Sequence, residues 1–352
     1  MSSFRTFLVS ATVALILSAC GGGSADSTPS VPTPVTSPAP VATPTPVVVT
    51  PPVVTPPPVV TPPVVVTPPV VVTPPVVVIP PVVTPPVVVP EPARIAFWGD
   101  SLTSYEFVTY IGSALPGYAI YGGGVGGQNA TEIATRQGGL VPVVTFLNNT
   151  IPPSGNAAIS SISTSPITHF GGTASGFIND VHGTFNRAAD GSFSFTRDAA
   201  GTAVSVMPNT PFIVDTFGRD AWPTVLWMGR NGFSYPVQVK SDIASSVAFL
   251  KASPKKFLVL SILNAEGEIK GSNNHGIINA LNADLSVLYP NRFIDVRAYL
   301  VSQYDPTSAQ DILDFQNDVV PTSLRTDNVH LNTKGTILVA KKVLEFIKSN
   351  GW

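Results

Sequence analysis

The chain has 352 residues, a formal net charge of −2 and only 11% charged residues. No stretch clusters the Lys and Arg side chains that displace counterions from phosphate, so nucleic acid is excluded as a partner. A single cysteine, Cys20, excludes an intramolecular disulfide and a thiolate zinc cluster, and the four histidines lack the spacing of a helix-borne metal pair, so we predict neither a metal site nor a cofactor.

The first 19 residues have the pattern of a bacterial export signal. Arg5 supplies a positive charge, and residues 7–16 form an apolar run too short for a permanent membrane span. The following Leu17-Ser18-Ala19-Cys20 resembles the lipobox of bacterial lipoproteins, which implies cleavage before Cys20 and acylation of that residue. We therefore expect a lipid anchor in the bacterial cell envelope, on the outer membrane if the source is Gram-negative. The alternative is an ordinary secretory signal in which Cys20 is incidental.

Residues 20–92 predict an extended linker. They repeat Val-Val-Thr-Pro-Pro, and 24 of the 37 prolines of the chain lie here. Proline at this density removes backbone donors and fixes φ, which favours polyproline II over helix or sheet. We interpret the segment as a spacer; a docking track for a proline-binding protein is the alternative.

Residues 93–352 have the composition of a globular domain. Apolar runs at residues 95–98, 224–228 and 257–262 predict buried parallel strands, and helical patterns fall between or after them, at residues 131–137, 237–250, 277–288 and 333–347. Strands that alternate with helices favour a three-layer α/β/α sandwich around a parallel sheet. The stretch at about residues 140–222 breaks this alternation with Thr, Ser, Gly and Phe, and predicts a β-rich insertion.

Ser101 is the first candidate for chemistry. It follows a predicted strand, where open α/β sheets place reactive groups, and Gly99 allows a tight turn before it. A serine hydroxyl needs a base, and Asp327 and His330 lie three residues apart on a loop before the last helix. The alternatives are a helix N-cap for Ser101 and an ordinary loop histidine for His330.

Two further segments could supply donors for a developing oxyanion. A glycine-rich loop at residues 122–127 offers backbone N–H groups without side chains, and Asn231 can donate through its amide. The alternative roles are a hinge for Gly127 and an ordinary turn residue for Asn231. We assign no role to His169, His182 or His275, and we expect the tryptophans near the strands to pack in the core (Trp98, Trp222 and Trp227).

These segments resemble blocks I, II, III and V of the SGNH (GDSL) hydrolases, in that order. The matching runs are Gly99-Asp100-Ser101-Leu102, the loop at Gly127, Gly229-Arg230-Asn231 and Asp327-Asn328-Val329-His330. The resemblance implies a flavodoxin-like fold, a triad of Ser101, Asp327 and His330, and oxyanion donors from Ser101, Gly127 and Asn231. Gly126 competes with Gly127 for that role, and Gly232 replaces the aspartate usual after the block III asparagine. The nucleophile elbow Gly-x-Ser-x-Gly of α/β-hydrolases is absent from the sequence.

The resemblance implies hydrolysis of a carboxylic ester through an acyl-enzyme on Ser101. We expect a short acyl group as substrate, such as acetyl on a cell-surface or environmental glycan; small lipid esters are the near alternative. The contrasting hypothesis is a non-enzymatic cell-surface binding module that uses the fold as a scaffold. The oligomeric state is left open.

Overall fold

The computed structural model of the protein describes residues 92–352. The predicted signal peptide, the acylation of Cys20 and the linker up to Glu91 lie outside the described residues and stay predictions. No helix within residues 92–352 combines the length and apolar character needed to cross a membrane.

The described residues form fourteen strands. In chain order they are β1 (Arg94–Gly99), β2 (Ala119–Gly124), β3 (Val143–Phe146), β4 (Thr150–Ile151), β5 (Asn156–Ile162), β6 (Gly172–Ile178), β7 (Val181–Arg187), β8 (Phe193–Arg197), β9 (Val204–Ser205), β10 (Thr210–Pro211), β11 (Ile213–Val214), β12 (Thr224–Trp227), β13 (Phe257–Leu260) and β14 (Phe293–Ile294). Five of them form a parallel sheet in the order β14-β13-β12-β1-β2. β1 therefore has a neighbour on both sides, β12 and the outermost strand β2.

Seven α-helices accompany these strands. They are α1 (Tyr105–Ala114), α2 (Ala130–Gln137), α3 (Pro236–Phe249), α4 (Asn273–Leu288), α5 (Val296–Val301), α6 (Ala309–Gln316) and α7 (Thr333–Ser349). The buried residues of β1 alternate between two cores: Ile95 and Phe97 pack with residues of α1 and α7, whereas Ala96 and Trp98 pack with residues of α2, α3 and α4. Helices therefore cover both faces of the sheet, which confirms the predicted three-layer α/β/α sandwich.

The predicted tryptophan packing is also confirmed. Trp98 and Trp227 are 3% exposed, and the partly buried Trp222 packs against the core on the side of α2 and α3.

The stretch between β2 and β12 contains the β-rich insertion that the sequence predicts. Seven of its strands form an antiparallel sheet in the order β10-β3-β5-β8-β7-β6-β11, and β4 pairs with β9. The sheet has its own core, in which four phenylalanines are buried (Phe146, Phe185, Phe195 and Phe212). The insertion is thus a second packed layer with an apolar interior, and not a long surface loop.

Local hydrogen bonds set where α2 begins. The Asn129 side chain accepts the N–H of Glu132 at 2.9 Å, and the Glu132 carboxylate accepts the N–H of Asn129 at 3.0 Å. This reciprocal pair satisfies two N–H groups that no helical carbonyl can reach. It also fixes the glycine-rich loop, which ends at Asn129, relative to the helix.

Candidate functional site

Ser101 lies in the turn that joins β1 to α1, at the carboxyl end of a strand flanked by β12 and β2. The cap of α1 is Ser104, whose Oγ accepts the N–H of Phe107 at 3.2 Å, so Ser101 does not serve as the N-cap of that helix. Gly99 does not adopt a positive φ; a β-carbon there would overlap Thr103 Oγ1 and the carbonyl oxygen of Trp227. The glycine is therefore required by the close approach of Thr103 and of the end of β12.

Ser101, His330 and Asp327 form a continuous hydrogen-bonded chain. Ser101 Oγ lies 2.9 Å from His330 Nε2, and His330 Nδ1 lies 2.8 Å from Asp327 Oδ2. A carboxylate at Nδ1 stabilises the tautomer with its proton on that nitrogen, which leaves the Nε2 lone pair directed at the hydroxyl. In this arrangement the imidazole can take the proton of Ser101 Oγ as the oxygen attacks an electrophile.

The loop that carries Asp327 holds its carboxylate in the charged form. The second oxygen, Oδ1, accepts the backbone N–H groups of Val329 and His330, each at 2.8 Å. Together with the side chain of His330, these donors lower the pKa of Asp327 to about 2. The carboxylate is therefore ionised throughout the neutral range, where it can stabilise an imidazolium on His330.

Four hydrogen-bond donors lie at the carboxyl edge of the sheet, and one of them is the backbone N–H of Ser101 itself. The backbone N–H groups of Ser101, Gly126 and Gly127 have no acceptor among residues 92–352. Asn231, which follows β12, donates one amide hydrogen to the carbonyl oxygen of Gln128 at 3.0 Å, and this bond fixes the amide plane while its second hydrogen stays available. The sequence left Gly126 and Gly127 as alternatives. Both N–H groups are free of protein acceptors, and a β-carbon on Gly126 would lie 3.8 Å from Ser101 Cβ.

Comparisons with known proteins give one sequence relative and several similar structures. No protein-family model matches the chain. The tail spike protein of Salmonella phage epsilon15 is 27% identical over 288 residues, which cover 72% of this chain and 26% of the tail spike. The chain thus spans about a quarter of the length of that relative.

Two solved structures are similar to the chain. An acetyl xylan esterase is 15% identical with a TM-score of 0.41, over 72% of this chain and 98% of the esterase. A member of the lipolytic G-D-S-L protein family from Veillonella parvula is 12% identical with a TM-score of 0.38, over 72% of this chain and 97% of its own.

The parallel sheet brings the four motif blocks to one edge, where Ser101 contacts His330 and Asn231 contacts the glycine-rich loop. The motif blocks thus lie together at the edge of a parallel sheet inside an α/β/α sandwich, as the resemblance to the SGNH hydrolases implies.

Two side chains, the half-buried Arg136 and the buried Gln128, support the glycine-rich loop, and sequence reasoning missed both. Arg136 donates from Nε to Gln128 Oε1 at 2.8 Å and from Nη2 to the carbonyl oxygen of Gly123 at 2.7 Å, while its guanidinium lies 5.0 Å from the Trp98 ring centre. Gln128, fully buried, donates from Nε2 to the carbonyl oxygen of Pro166 at 3.0 Å. An arginine on an amphipathic helix is ordinarily expected at the surface, so only the tertiary structure shows this role.

The insertion reaches the glycine-rich loop beside Ser101. A β-carbon on Gly127, whose φ is +77°, would lie 3.0 Å from Phe170 Cε2 and 3.6 Å from His169 Cε1. His169 and Phe170 are both exposed, and their ring centres are 3.9 Å apart. The sequence assigned no role to His169, because nothing in the chain order places residue 169 beside residue 127.

The other two histidines form ion pairs outside the four motif blocks. His182 lies 2.6 Å from a carboxylate oxygen of Asp198 and 2.8 Å from one of Asp215, and His275 lies 2.8 Å from Asp318. These pairs connect neighbouring segments of the insertion and of the sandwich. Across residues 92–352, no group of three or more His, Cys, Asp or Glu side chains is arranged to hold a metal ion.

Asp100 is a buried carboxyl group beside the nucleophile. Its side chain accepts the N–H of Leu102 at 2.9 Å through Oδ1, whereas Oδ2 is buried and has no hydrogen-bond partner among the described residues. Burial raises the pKa of Asp100 to about 6, although the Leu102 N–H and the charge of Arg230 oppose the rise. At neutral pH the protein therefore holds an incompletely paired negative charge within its core.

We expect Asp100→Asn to change the pH dependence of stability. Between pH about 4 and 6 the native protein binds the Asp100 proton more tightly than the unfolded chain does, so the free energy of unfolding falls as the pH rises through this range. The loss amounts to about 3 kcal/mol for a shift of this size. An amide keeps the acceptor for Leu102 and never ionises, so urea unfolding should show the variant gaining about that much on wild type between pH 4 and 7.5.

Asp295→Asn serves as the control, because that carboxylate also accepts a backbone N–H, from Ala298, but its bond lies at an exposed helix cap. Parallel stability profiles for wild type and Asp100→Asn would show that the buried carboxyl does not titrate in this range.

Proposed function

We propose that this protein is a serine esterase that hydrolyses carboxylic esters through an acyl-enzyme on Ser101. The observation that carries the proposal is the 2.9 Å contact between Ser101 Oγ and His330 Nε2, with the imidazole oriented by Asp327. A serine in this contact is activated for attack on a carbonyl carbon.

In the first half of the reaction, Ser101 Oγ forms a bond to the ester carbonyl carbon and its proton passes to His330 Nε2. The carbonyl oxygen becomes an oxyanion, which the N–H of Ser101, the amide of Asn231 and the N–H of Gly127 stabilise; Gly126 is the neighbouring candidate. The intermediate then expels the alcohol, whose oxygen takes the proton from Nε2, and the acyl group stays on Ser101. Asp327 stays ionised and stabilises the imidazolium during both steps.

In the second half, water attacks the acyl carbon while His330 Nε2 accepts a proton from it. A second oxyanion forms and is stabilised by the same donors. It then collapses and releases the carboxylic acid, while the Ser101 oxygen takes the proton from His330 Nε2 and becomes a hydroxyl again. Every proton that leaves a nucleophile is returned to a leaving group, so the cycle needs no cofactor.

We further propose that the substrate is a glycan with short acyl groups such as acetyl. Support comes from the open site, in which the side chains of His330 and Asp327 are 46% and 55% exposed, because a polymer can reach such a site from solvent. The cavity of about 290 Å³ beside Gly127 and Asn231 has polar groups such as Thr131 among apolar ones in its lining, and this mixed lining favours a hydroxylated substrate over a long alkyl chain.

A fluorophosphonate probe tests the mechanism, because it phosphonylates a serine that a neighbouring base activates, with release of fluoride. We expect the labelled tryptic peptide to contain Ser101. Absence of that label would favour the alternative of a non-enzymatic binding module.

An ester panel tests the substrate class: acetylated xylan, acetylated peptidoglycan and p-nitrophenyl esters of increasing chain length. Preference for long-chain esters over the acetylated glycans would replace the glycan with a lipid substrate.

A further inference from the structure

Phe170 presents an apolar ring to solvent from a fixed position. The preceding residues Ile167 and Thr168 are buried, the N–H of Phe170 donates to Thr168 Oγ1 at 3.2 Å, and the N–H of Gly171 donates to the Thr168 carbonyl oxygen at 3.1 Å. The ring itself is 72% exposed and is stacked at one side by His169. A turn closed in this way on a buried base fixes the backbone at residue 170 and leaves the ring uncovered.

The ring lies at the edge of the proposed ester site. It approaches the position of a β-carbon on Gly127 to 3.0 Å, and the adjacent Gly126 faces Ser101 Cβ. Gly127 is one of the two glycines whose N–H can stabilise the oxyanion. A group attached to an ester at Ser101 can therefore reach Phe170 across this short loop.

Polar groups lie beside the same glycine. The cavity lined by Gly127 and Asn231 also contains Thr131, Gln238 and Asp242. The buried Asp242 carboxylate accepts Thr131 Oγ1 at 2.6 Å and Gln238 Nε2 at 2.7 Å, which fixes both side chains at the cavity wall. Each keeps further hydrogen-bonding capacity: a lone pair on the threonine oxygen and the amide oxygen of the glutamine.

An exposed aromatic ring next to polar groups matches the two surfaces of a pyranose. One face of such a ring carries C–H groups that an aromatic face can cover, and its rim carries hydroxyl groups that need hydrogen-bond partners. A long alkyl chain would instead require a continuous apolar lining, because polar groups lose hydrogen bonds to water when an alkyl chain covers them.

We propose that Phe170 forms a sugar subsite of the ester cleft: its ring stacks on the pyranose that carries the acyl group, and hydroxyl groups of that sugar bind at Gln238 and Thr131. This inference rests on the proposed esterase function, since it assumes that an ester carbonyl lies at Ser101. It makes the β-rich insertion a determinant of substrate specificity through its contact at Gly127.

The test compares the full-length wild type with Phe170→Ala on two substrates: an acetylated xylo-oligosaccharide, which has a sugar to stack, and p-nitrophenyl acetate, which does not. Loss of the ring should raise KM for the oligosaccharide about tenfold, equivalent to about 1.4 kcal/mol, with kcat within about twofold. Turnover of p-nitrophenyl acetate should stay within about twofold of wild type. Phe170→Trp, which keeps a flat apolar face, should restore the oligosaccharide KM.

Phe217→Ala is the matched control. Phe217 is an equally exposed phenylalanine, at 68%, but it lines a different cavity, with Asp215 and Arg219. We expect this variant to match wild type on both substrates.

Three outcomes would overturn the subsite. They are an unchanged oligosaccharide KM in Phe170→Ala, an equal loss on both substrates, and a wild type that hydrolyses p-nitrophenyl acetate but no acetylated oligosaccharide. Each leaves ester hydrolysis intact. Failure of the proposed function has a separate signature, because the wild type would then turn over neither substrate and Ser101 would not react with the fluorophosphonate.

Discussion

Ser101→Ala is expected to lower kcat for p-nitrophenyl acetate by a factor of at least about 10⁴, to the level that binding and oxyanion stabilisation alone can support. The substitution removes the only oxygen that lies within hydrogen-bond reach of His330 Nε2 among the described residues. Without it no acyl-enzyme can form, and water would have to attack the ester directly. Steady-state hydrolysis, followed by release of p-nitrophenolate, measures the loss.

Ser104→Ala is the control for this experiment, because it removes a serine hydroxyl only three residues away. Ser104 caps α1, so the change should reduce the free energy of unfolding by about 1 kcal/mol but leave kcat within a few fold. If Ser101→Ala retained the wild-type rate, the nucleophile would have to be another group, and the proposed mechanism would be wrong.

Asp327→Asn is expected to lower kcat by about 10⁴-fold while the protein stays folded. The amide oxygen can still accept the N–H groups of Val329 and His330, so the loop keeps its shape. The amide nitrogen, however, would face His330 Nδ1 as a donor and would favour the tautomer that carries its proton on Nε2. That nitrogen could then no longer accept the proton of Ser101.

Asn328→Ala is the matched control, because Asn328 is exposed in the same loop and its backbone oxygen still accepts the N–H of Glu266. Its rate should equal that of wild type. The double variant Ser101→Ala/Asp327→Asn should be no slower than Ser101→Ala alone, since the carboxylate acts through the hydroxyl. Additive losses would mean that Asp327 contributes by some route other than the imidazole.

The sequence predicted those parts of the fold that have a regular local pattern of apolar residues. Continuous apolar runs gave β1, β12 and β13, and the helical repeats gave α2, α3, α4 and α7 to within a few residues. These signals are strong because a strand buried on both faces excludes polar residues, and a helix with one buried side repeats every three or four positions. The insertion was predicted only as β-rich, since strands of two residues such as β9 and β11 carry no periodicity.

The candidate site also has parts that the sequence predicted and parts that it could not predict. Short sequence motifs identified four candidate residues, and the structure places them at one edge of the sheet: Ser101, Asn231, Asp327 and His330. The contacts between segments could not be predicted. Phe170 meets Gly127 only because of how the insertion packs, and Arg136 meets the glycine-rich loop only because α2 folds back against β2. Neither the exposed phenylalanine nor the half-buried arginine differs locally from many others in the chain.

The two ends of the proton-transfer contact, Ser101 and His330, stand 229 positions apart along the polypeptide. The intervening residues include the whole antiparallel sheet. Until α7 and the loop before it pack onto the side of the sheet that also carries α1, the Ser101 hydroxyl has no imidazole to take its proton. The contact therefore requires the entire stretch between the two residues to be folded first.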